Sequence, residues 1–282
     1  MEGKIHVYCI NLKHRTDRWK RFSEQSELQV LKQHYPFERF EGINGSAVDI
    51  QKDGRISLRT KRNIKEHTRR DHEELDSAGG VGCYLSHTGV WRKIVERPEE
   101  FGLVLEDDAI LDPGFTDALH RAMKEATLLP QFPDVWFFTS PMSCYYDSKQ
   151  KPMPQNVKGG VLGPWLTHTC GTFTGYLIRK EAAARLLENA FPLDMHVDHY
   201  TCLNGDLGRV FTAYHSKVEV RPYSLKEGDT DIQTVAECPI CDIPTNYRRK
   251  GMMVISLPVV AVGLGLLAGM YMLSRRGGGG RR

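Results

Sequence analysis

Residues 101–108 read Phe-Gly-Leu-Val-Leu-Glu-Asp-Asp. The apolar run Phe101–Leu105 has the look of a short buried strand, and it runs straight into three acids. Carboxylates at the end of an apolar strand are costly to bury unless a cation compensates them. In extended backbone, positions 106 and 108 point to the same face, about 6.5 Å apart along the chain. That spacing lets both carboxylates reach one divalent ion, directly or through water. Mg²⁺ and Mn²⁺ favour such oxygen ligands and often share them with substrate phosphates. In open α/β sheets, ligands bind beyond the carboxyl ends of the strands, which is where these acids fall. The competing reading is a solvated turn in which Asp107 or Asp108 caps the next helix.

Working outward, strand-like and helix-like stretches alternate, which predicts an α/β body. Lys4–Asn11 reads as the first strand, Thr16–Tyr35 as a helix and Phe37–Ile43 as a second extended piece. Gly54–Ala78 is polar and strongly charged. The turn Gly79-Gly80-Val81-Gly82 then leads into a helix from about Tyr84 to Arg97, so Ser86 and His87 are expected near a helix start, where backbone amides favour anions. Pro113–Leu129 reads as a helix, Val135–Thr139 as a strand, Ser140–Cys170 as a loop, Gly171–Ile178 as a strand and Arg179–Ala190 as a helix. Late strands are expected at Val210–His215 and Val218–Val220.

The chain has 282 residues, 40% hydrophobic, 26% charged and 9% aromatic, with a net charge of +3. This composition excludes a disordered chain, a collagen-like repeat and a disulfide-dense miniature protein. The charge is unevenly placed. Seven of the 38 basic residues lie in 248–282, which holds no acid, leaving 31 basic against 35 acidic residues over 1–247, a net of −4. A nucleic-acid binder would carry its positive charge on the folded part, so that class is set aside. The basic run Arg55–Arg70 reads as a solvated loop or helix face, with a mobile, anion-attracting lid as the alternative.

Within the tail, Met252–Leu273 is 22 residues without a charge, bracketed by Arg248–Lys250 and Arg275–Arg276. As a helix it would be about 33 Å long, enough to cross a bilayer core. The expected organisation is a domain over 1–235, a juxtamembrane linker over 236–251, a transmembrane helix over 252–273 and a basic tail over 274–282. Ala261, Gly265 and Gly269 have a small-xxx-small spacing that can pack two such helices into a homodimer. The N-terminus lacks a secretory pattern: Lys4–Leu12 is short and alternates like a strand. The expectation is a single-pass, tail-anchored membrane protein with a cytosolic body. Basic residues flank both sides of the span, so a lumenal orientation stays open. Seven cysteines, mostly single, suit reduced thiols; Cys238 and Cys241 form a close pair with no second pair to complete a zinc site.

Several ordered blocks together resemble glycosyltransferase family 25, the group of lipopolysaccharide-modifying and collagen galactosyltransferases. They are Val7–Leu12 followed by Arg15, Asp17 and Arg18; Gly82-Cys83-Tyr84-Leu85-Ser86-His87 followed by Trp91; Leu103–Ala109 with its three acids; and Gly171-Thr172 through Tyr176–Ile178, Ala182–Leu187 and Val197-Asp198-His199. The resemblance implies a GT-A-like nucleotide-sugar-binding fold with a mixed, mainly parallel sheet. It also implies inverting transfer of a sugar, galactose by first choice, from a UDP-sugar with Mn²⁺ or Mg²⁺. The acceptor would be a hydroxyl on a glycan, a lipid or a collagen-like protein.

On that resemblance, Asp107 and Asp108 are the expected metal ligands and Glu106 joins them, or holds the ribose hydroxyls of the donor. The loop after the first strand would meet the nucleotide through Asn11, Arg15 and Arg18, with the planar Arg18 fork suited to phosphate. Ser86 and His87 complete the donor-binding set. Inverting displacement needs a base for the acceptor hydroxyl. Asp198 is the candidate; a further metal ligand and a helix cap are its alternatives. Cys83 reads as a small core residue, since direct displacement requires no thiol. Two other classes remain in play: a catalytically inactive binding module on the same fold, and a metal-dependent nucleotidyltransferase or phosphohydrolase using the same acids.

Overall fold

Strand β1 (Ile5–Leu12) divides its side chains between two apolar layers: Ile5, Val7 and Cys9 enter one, Tyr8 the other. Strand β3 (Phe101–Glu106) does the same, with Phe101, Leu103 and Leu105 on one side and Val104 on the other. Period-two alternation with both faces apolar is what a sheet covered on both sides requires. The computed structural model describes residues 4–69, 73–129, 132–138, 162–164, 173–206, 213–216, 220–222 and 232. The chain divides into two units, Met1–Ala236 and Glu237–Arg282, and every described residue belongs to the first.

The remaining strands are β2 (Phe37–Gly42), β4 (Ala109–Leu111), β5 (Val135–Phe137), β6 (Leu162–Pro164), β7 (Gly175–Arg179), β8 (Ala213–Ser216) and β9 (Val220–Pro222). Seven form one sheet in the order β2-β1-β3-β7-β5-β8-β6, and β4 pairs with β9 in a small second sheet. The β1–β2, β1–β3 and β5–β8 pairs are parallel; β3–β7, β5–β7 and β6–β8 are antiparallel. The sheet is mixed as expected, but among the described residues it is evenly divided, which corrects the expectation of a mainly parallel one. The reversal comes from β7, inserted antiparallel between β3 and β5.

Helices cover both faces. On the Tyr8 side lie α4 (Ala78–Glu96) and α6 (Lys180–Glu188). On the other lie α1 (Thr16–Ser23), α2 (Ser26–His34) and α5 (Phe115–Ala126). The stretch read as one helix over 16–35 is two, because Gln25 leaves the helix to clamp β4: its amide donates to the Ala109 carbonyl at 2.8 Å and its Oε1 accepts from Leu111 N at 2.8 Å. Two residues on, buried Glu27 accepts from the backbone amides of Gly114 (2.9 Å) and Thr116 (2.8 Å). A carboxylate from α2 thereby satisfies the orphan donors that open α5.

Helix α4 also departs from expectation. It begins at Ala78, capped by the Ser77 hydroxyl on Gly80 N (3.1 Å), so Gly79–Gly82 are helical rather than a turn. Helical glycines are tolerated here because the chain after β2 lies directly against them. A β-carbon on Gly82 would sit 2.4 Å from the Ile43 carbonyl oxygen and 2.6 Å from Gly45 N. Ser86 and His87 therefore lie inside the helix, and the expectation that they meet an anion at its start is corrected.

Two further α-helices lie among the described residues: α3 (Leu58–Glu66), within the basic run, and α7 (Val197–Asp206). The segment between α6 and α7 is tied to the basic run. Leu193 N donates to the Arg55 carbonyl (2.8 Å), Ser57 N to the Leu193 carbonyl (3.0 Å) and His196 N to the Glu73 carbonyl (2.9 Å). Most of the loop 140–170, the linker with Cys238 and Cys241, and the apolar run 252–273 lie outside the described residues. Among the described residues, no helix is long and apolar enough to cross a membrane.

Candidate active site at the strand ends

Strands β1, β2 and β3 run parallel, so their carboxyl ends emerge at one edge; the register sets Ile10 beside Glu106 and Leu12 beside Gly42. Asn11, one residue from the end of β1, is 1% exposed. Its amide nitrogen donates to Asp107 Oδ2 (2.5 Å) and to the Arg15 carbonyl (3.1 Å). Its Oδ1 accepts from Arg39 Nε at 3.0 Å. Arg39 in turn lies over the Trp19 ring, 4.4 Å from its centroid. The second Asp107 oxygen takes Arg18 Nη1 at 3.3 Å. Asp107, expected as a metal ligand, thus has one oxygen committed to Asn11 and the other to Arg18. Arg15 contributes its carbonyl to this network and pairs its guanidinium with Asp17 at 3.0 Å.

Asp108 is placed differently. Its Oδ1 is buried without a hydrogen-bond partner. Burial, then the charges of Glu106 and Asp107, push its carboxyl up to about 7. Burial also pushes Glu106 up to about 7, aided by Asp107 and Asp198. Burial raises Asp107 as well, against the opposing hydrogen bonds and charge of Asn11 and Arg18. Three acids held where ionisation is disfavoured, one with an orphaned oxygen, fit a hard divalent cation as compensating charge.

Glu106 Oε1 lies 3.1 Å from His87 Nε2, and His87 Nδ1 lies 3.0 Å from the Tyr176 hydroxyl. The Trp91 indole donates to that same hydroxyl at 2.8 Å. Burial drives the His87 imidazole down to about 3, so it stays neutral, donating through one nitrogen and accepting through the other. This chain, Trp91–Tyr176–His87–Glu106, crosses from the core of the Tyr8 side to the site edge. Ser86 turns elsewhere: its hydroxyl donates to the Gly82 carbonyl (2.6 Å) and accepts from Ile43 N (2.8 Å), closing the β2–α4 contact.

Asp198 stands in the first turn of α7, its Oδ1 accepting from His199 N at 2.8 Å. Its charge acts on Glu106, His87 and Cys83, which places it on the Glu106 side of the cluster. The basic run reaches this region as scaffold. Ser57 caps α3 through Thr60 N (3.1 Å) and donates to Asp194 at 2.8 Å, and Arg59 pairs with Asp194 and with Glu74.

Asn11, Arg18, Glu106, Asp107, Asp108, His87 and Asp198 are thus gathered at one edge; Ser86 serves packing. Sequence reasoning gave no site role to Arg39 or Tyr176 and read Cys83 as a small core residue. Trp91 and Tyr176 stand inside motif blocks, whereas Arg39 is marked only by its β2 position beside Cys9 in the parallel register. Cys9 and Cys83 are free thiols, while Cys202 is disulfide-bonded, which corrects the expectation of reduced thiols at that position.

A two-faced α/β sheet that masses carboxylates at the ends of parallel strands has the layout of domains that bind ligands at that edge. The family described as Glycosyltransferase family 25 (LPS biosynthesis protein) matches residues 4–201, and the chain belongs to it. It is 26% identical to Procollagen galactosyltransferase 1-B of Xenopus laevis over 244 residues, 86% of this chain and 36% of the relative. It is likewise 26% identical to a Glycosyltransferase 25 family member of Aedes aegypti, over 70% of this chain and 30% of that one. With human Procollagen galactosyltransferase 2 it shares 23% over 88% of this chain and 36% of the relative. The chain therefore spans about a third of the length of these relatives. A crystal structure of a glycosyltransferase involved in glycosylation of the major capsid of PBCV-1 aligns over 65% of each chain at 10% identity, with a TM-score of 0.28.

Proposed function

We propose that this chain is a metal-dependent, inverting glycosyltransferase of GT-A type. It would move a hexose, galactose by first choice, from a UDP-sugar to a hydroxyl on a glycan, a lipid or a collagen-like protein. The observation that carries this reading is Asp108: a half-buried carboxyl crowded by Glu106 and Asp107, with a buried, unpartnered oxygen at the ligand-binding edge of the sheet. Family membership and the procollagen galactosyltransferase relatives support it.

Asp108, with Glu106 beside it, would hold Mn²⁺ or Mg²⁺, which when bound supplies positive charge to the diphosphate leaving group. Asp107 fixes Asn11 and Arg18 at the site, and Arg18 offers its planar fork to a phosphate oxygen. Asp198 accepts the acceptor hydroxyl's proton at a carboxylate oxygen as that oxygen bonds to the anomeric carbon and the bond to the diphosphate breaks. His87, kept neutral by burial and oriented by Tyr176, fixes Glu106. The body is anchored through 252–273, and the disulfide at Cys202 favours its placement in an oxidising compartment over the cytosolic one.

The test is UDP release from UDP-galactose and other UDP-sugars, with Mn²⁺, against collagen-like peptides, glycans and lipids. Asp108→Asn is expected to lower transfer about 100-fold or more and to abolish Mn²⁺ binding. It is also expected to raise the melting temperature of the metal-free protein by a few degrees, because it removes a half-buried, uncompensated carboxyl. Wild-type transfer in this variant would remove Asp108 from the site. Release of pyrophosphate or free phosphate instead of UDP would identify a nucleotidyltransferase or phosphohydrolase. Neither turnover nor Mn²⁺ binding would leave a non-catalytic binding module.

A further inference from the structure

We infer that Cys83, His87 and Glu106 form a second cation site, for a soft divalent ion of the zinc class, which adjoins the carboxylate site at Asp108 and shares Glu106 with it. Cys83 and His87 are four residues apart in α4 and so share one face of the helix. Glu106 reaches them from the end of β3. One ligand atom from each of the three lies within 4.8 Å of the other two. A thiolate with an imidazole selects zinc-class ions, whereas Mn²⁺ and Mg²⁺ prefer all-oxygen donors.

The surroundings match such a site. Cys83 is a free, half-buried thiol packed at the margin of the Tyr8-side core. Burial, then the charges of Glu106, Asp198 and Asp108, push it well up, so an incoming cation has to displace its proton. His87 has an outer partner in place: the Tyr176 hydroxyl, 3.0 Å from Nδ1 and itself held by Trp91. Metal-binding histidines characteristically carry such a partner on the second nitrogen, which fixes ring and tautomer. Three protein ligands leave the fourth tetrahedral position open. On binding, the Cys83 S–H bond breaks, the proton passes to solvent and a sulfur–metal bond forms. His87 binds through Nε2 with its proton on Nδ1, and Glu106 turns a carboxylate oxygen from His87 to the ion. No sulfur is oxidised.

The experiment is optical and needs no donor sugar, so its outcome is independent of the transfer reading. The full chain is titrated with Co²⁺ alone. The expected signal is a near-ultraviolet thiolate-to-cobalt band saturating at one ion per chain and displaced by Zn²⁺. Cys83→Ser is expected to abolish the band, and Tyr176→Phe to weaken Co²⁺ binding about 10- to 100-fold. Asp108→Ala and the paired Cys238→Ser, Cys241→Ser variant are expected to keep it. No band in the wild type, a band persisting in Cys83→Ser, or its loss in Asp108→Ala or the paired variant would overturn the site. Should Cys83→Ser fail to fold, iodoacetamide labelling of the wild type decides. Zn²⁺ is expected to slow alkylation of Cys83 in proportion to occupancy, and an unchanged rate overturns the inference.

Discussion

Asp198 and Asp108 carry the same functional group in opposite settings. Asp108 is crowded by like charge, which suits a cation ligand; Asp198 stands in the first turn of α7, its Oδ1 accepting from His199 N at 2.8 Å. A general base requires a carboxylate within reach of the acceptor hydroxyl. Asp198→Asn keeps the shape and removes the proton acceptor, so kcat should fall about 10²- to 10⁴-fold. KM for the donor should change only a few-fold. Steady-state kinetics with varied UDP-sugar separates the two constants; a large KM effect with little change in kcat would make Asp198 a binding residue. At this scale the acids were legible because an apolar strand ending in carboxylates is an unusual pattern. Tyr176 and Arg39 were not legible as site residues. Their roles arise from strand register, which sets β7 beside β3 and β2 beside β1 and which no local pattern in either strand announces.

The contact between α4 and the chain after β2 shows how elements hold the site. Gly82 meets the backbone of Ile43 and Gly45, and neither can move without moving the end of β2. Gly82→Ala should therefore destabilise the domain by about 1–3 kcal/mol. Gly54→Ala, where a β-carbon meets nothing within 4 Å, should be neutral or stabilising by up to about 1 kcal/mol. Chemical denaturation of the pair tests this, and equal effects would refute the close approach. Glu38 of β2 joins the other end of α4 through Lys93 and Arg97, each at 2.5 Å. Burial pushes this carboxyl up, but the hydrogen bonds and charges of Lys93 and Arg97 prevail and hold it below the usual value. A lowered acid stabilises the fold above its unfolded pKa and loses that contribution as pH falls through the folded one. Glu38→Gln should cost about 1–2 kcal/mol at neutral pH. The gap to wild type should narrow as pH falls below the ordinary glutamate pKa of about 4.3 and through the lower folded one. A pH-independent difference would assign the effect to packing. The first three strands could be read from alternation and apolar runs. The break between α1 and α2 could not, because Gln25 ends the helix for a partner in β4, 84 residues away. The glycines opening α4 misled for a related reason: they suit a turn by propensity, and only the neighbouring backbone makes them necessary in a helix.

The whole chain carries its charge in two parts. Residues 1–247 sum to −4 and contain every described element, and 248–282 sum to +7 around the uncharged run 252–273. The acids of the first part hold the candidate site, where the catalytic and cation chemistry proposed above is confined to residues between Asn11 and Asp198. Nothing in that chemistry draws on the tail, and among the described residues the two apolar clusters that cover the sheet end at Val220. Deleting 248–282 should therefore remove membrane binding alone. The expected outcome is a chain that no longer floats with lipid vesicles. It should keep the wild-type unfolding midpoint and transfer to soluble acceptors at an unchanged kcat. Transfer to acceptors embedded in a bilayer should fall if the tail is the anchor proposed above, because an anchor would confine donor site and acceptor to one surface and raise their effective concentration. A truncated chain that loses activity on soluble acceptors would instead mean that the tail supports the fold or the site, and the division drawn from charge and hydropathy would be wrong.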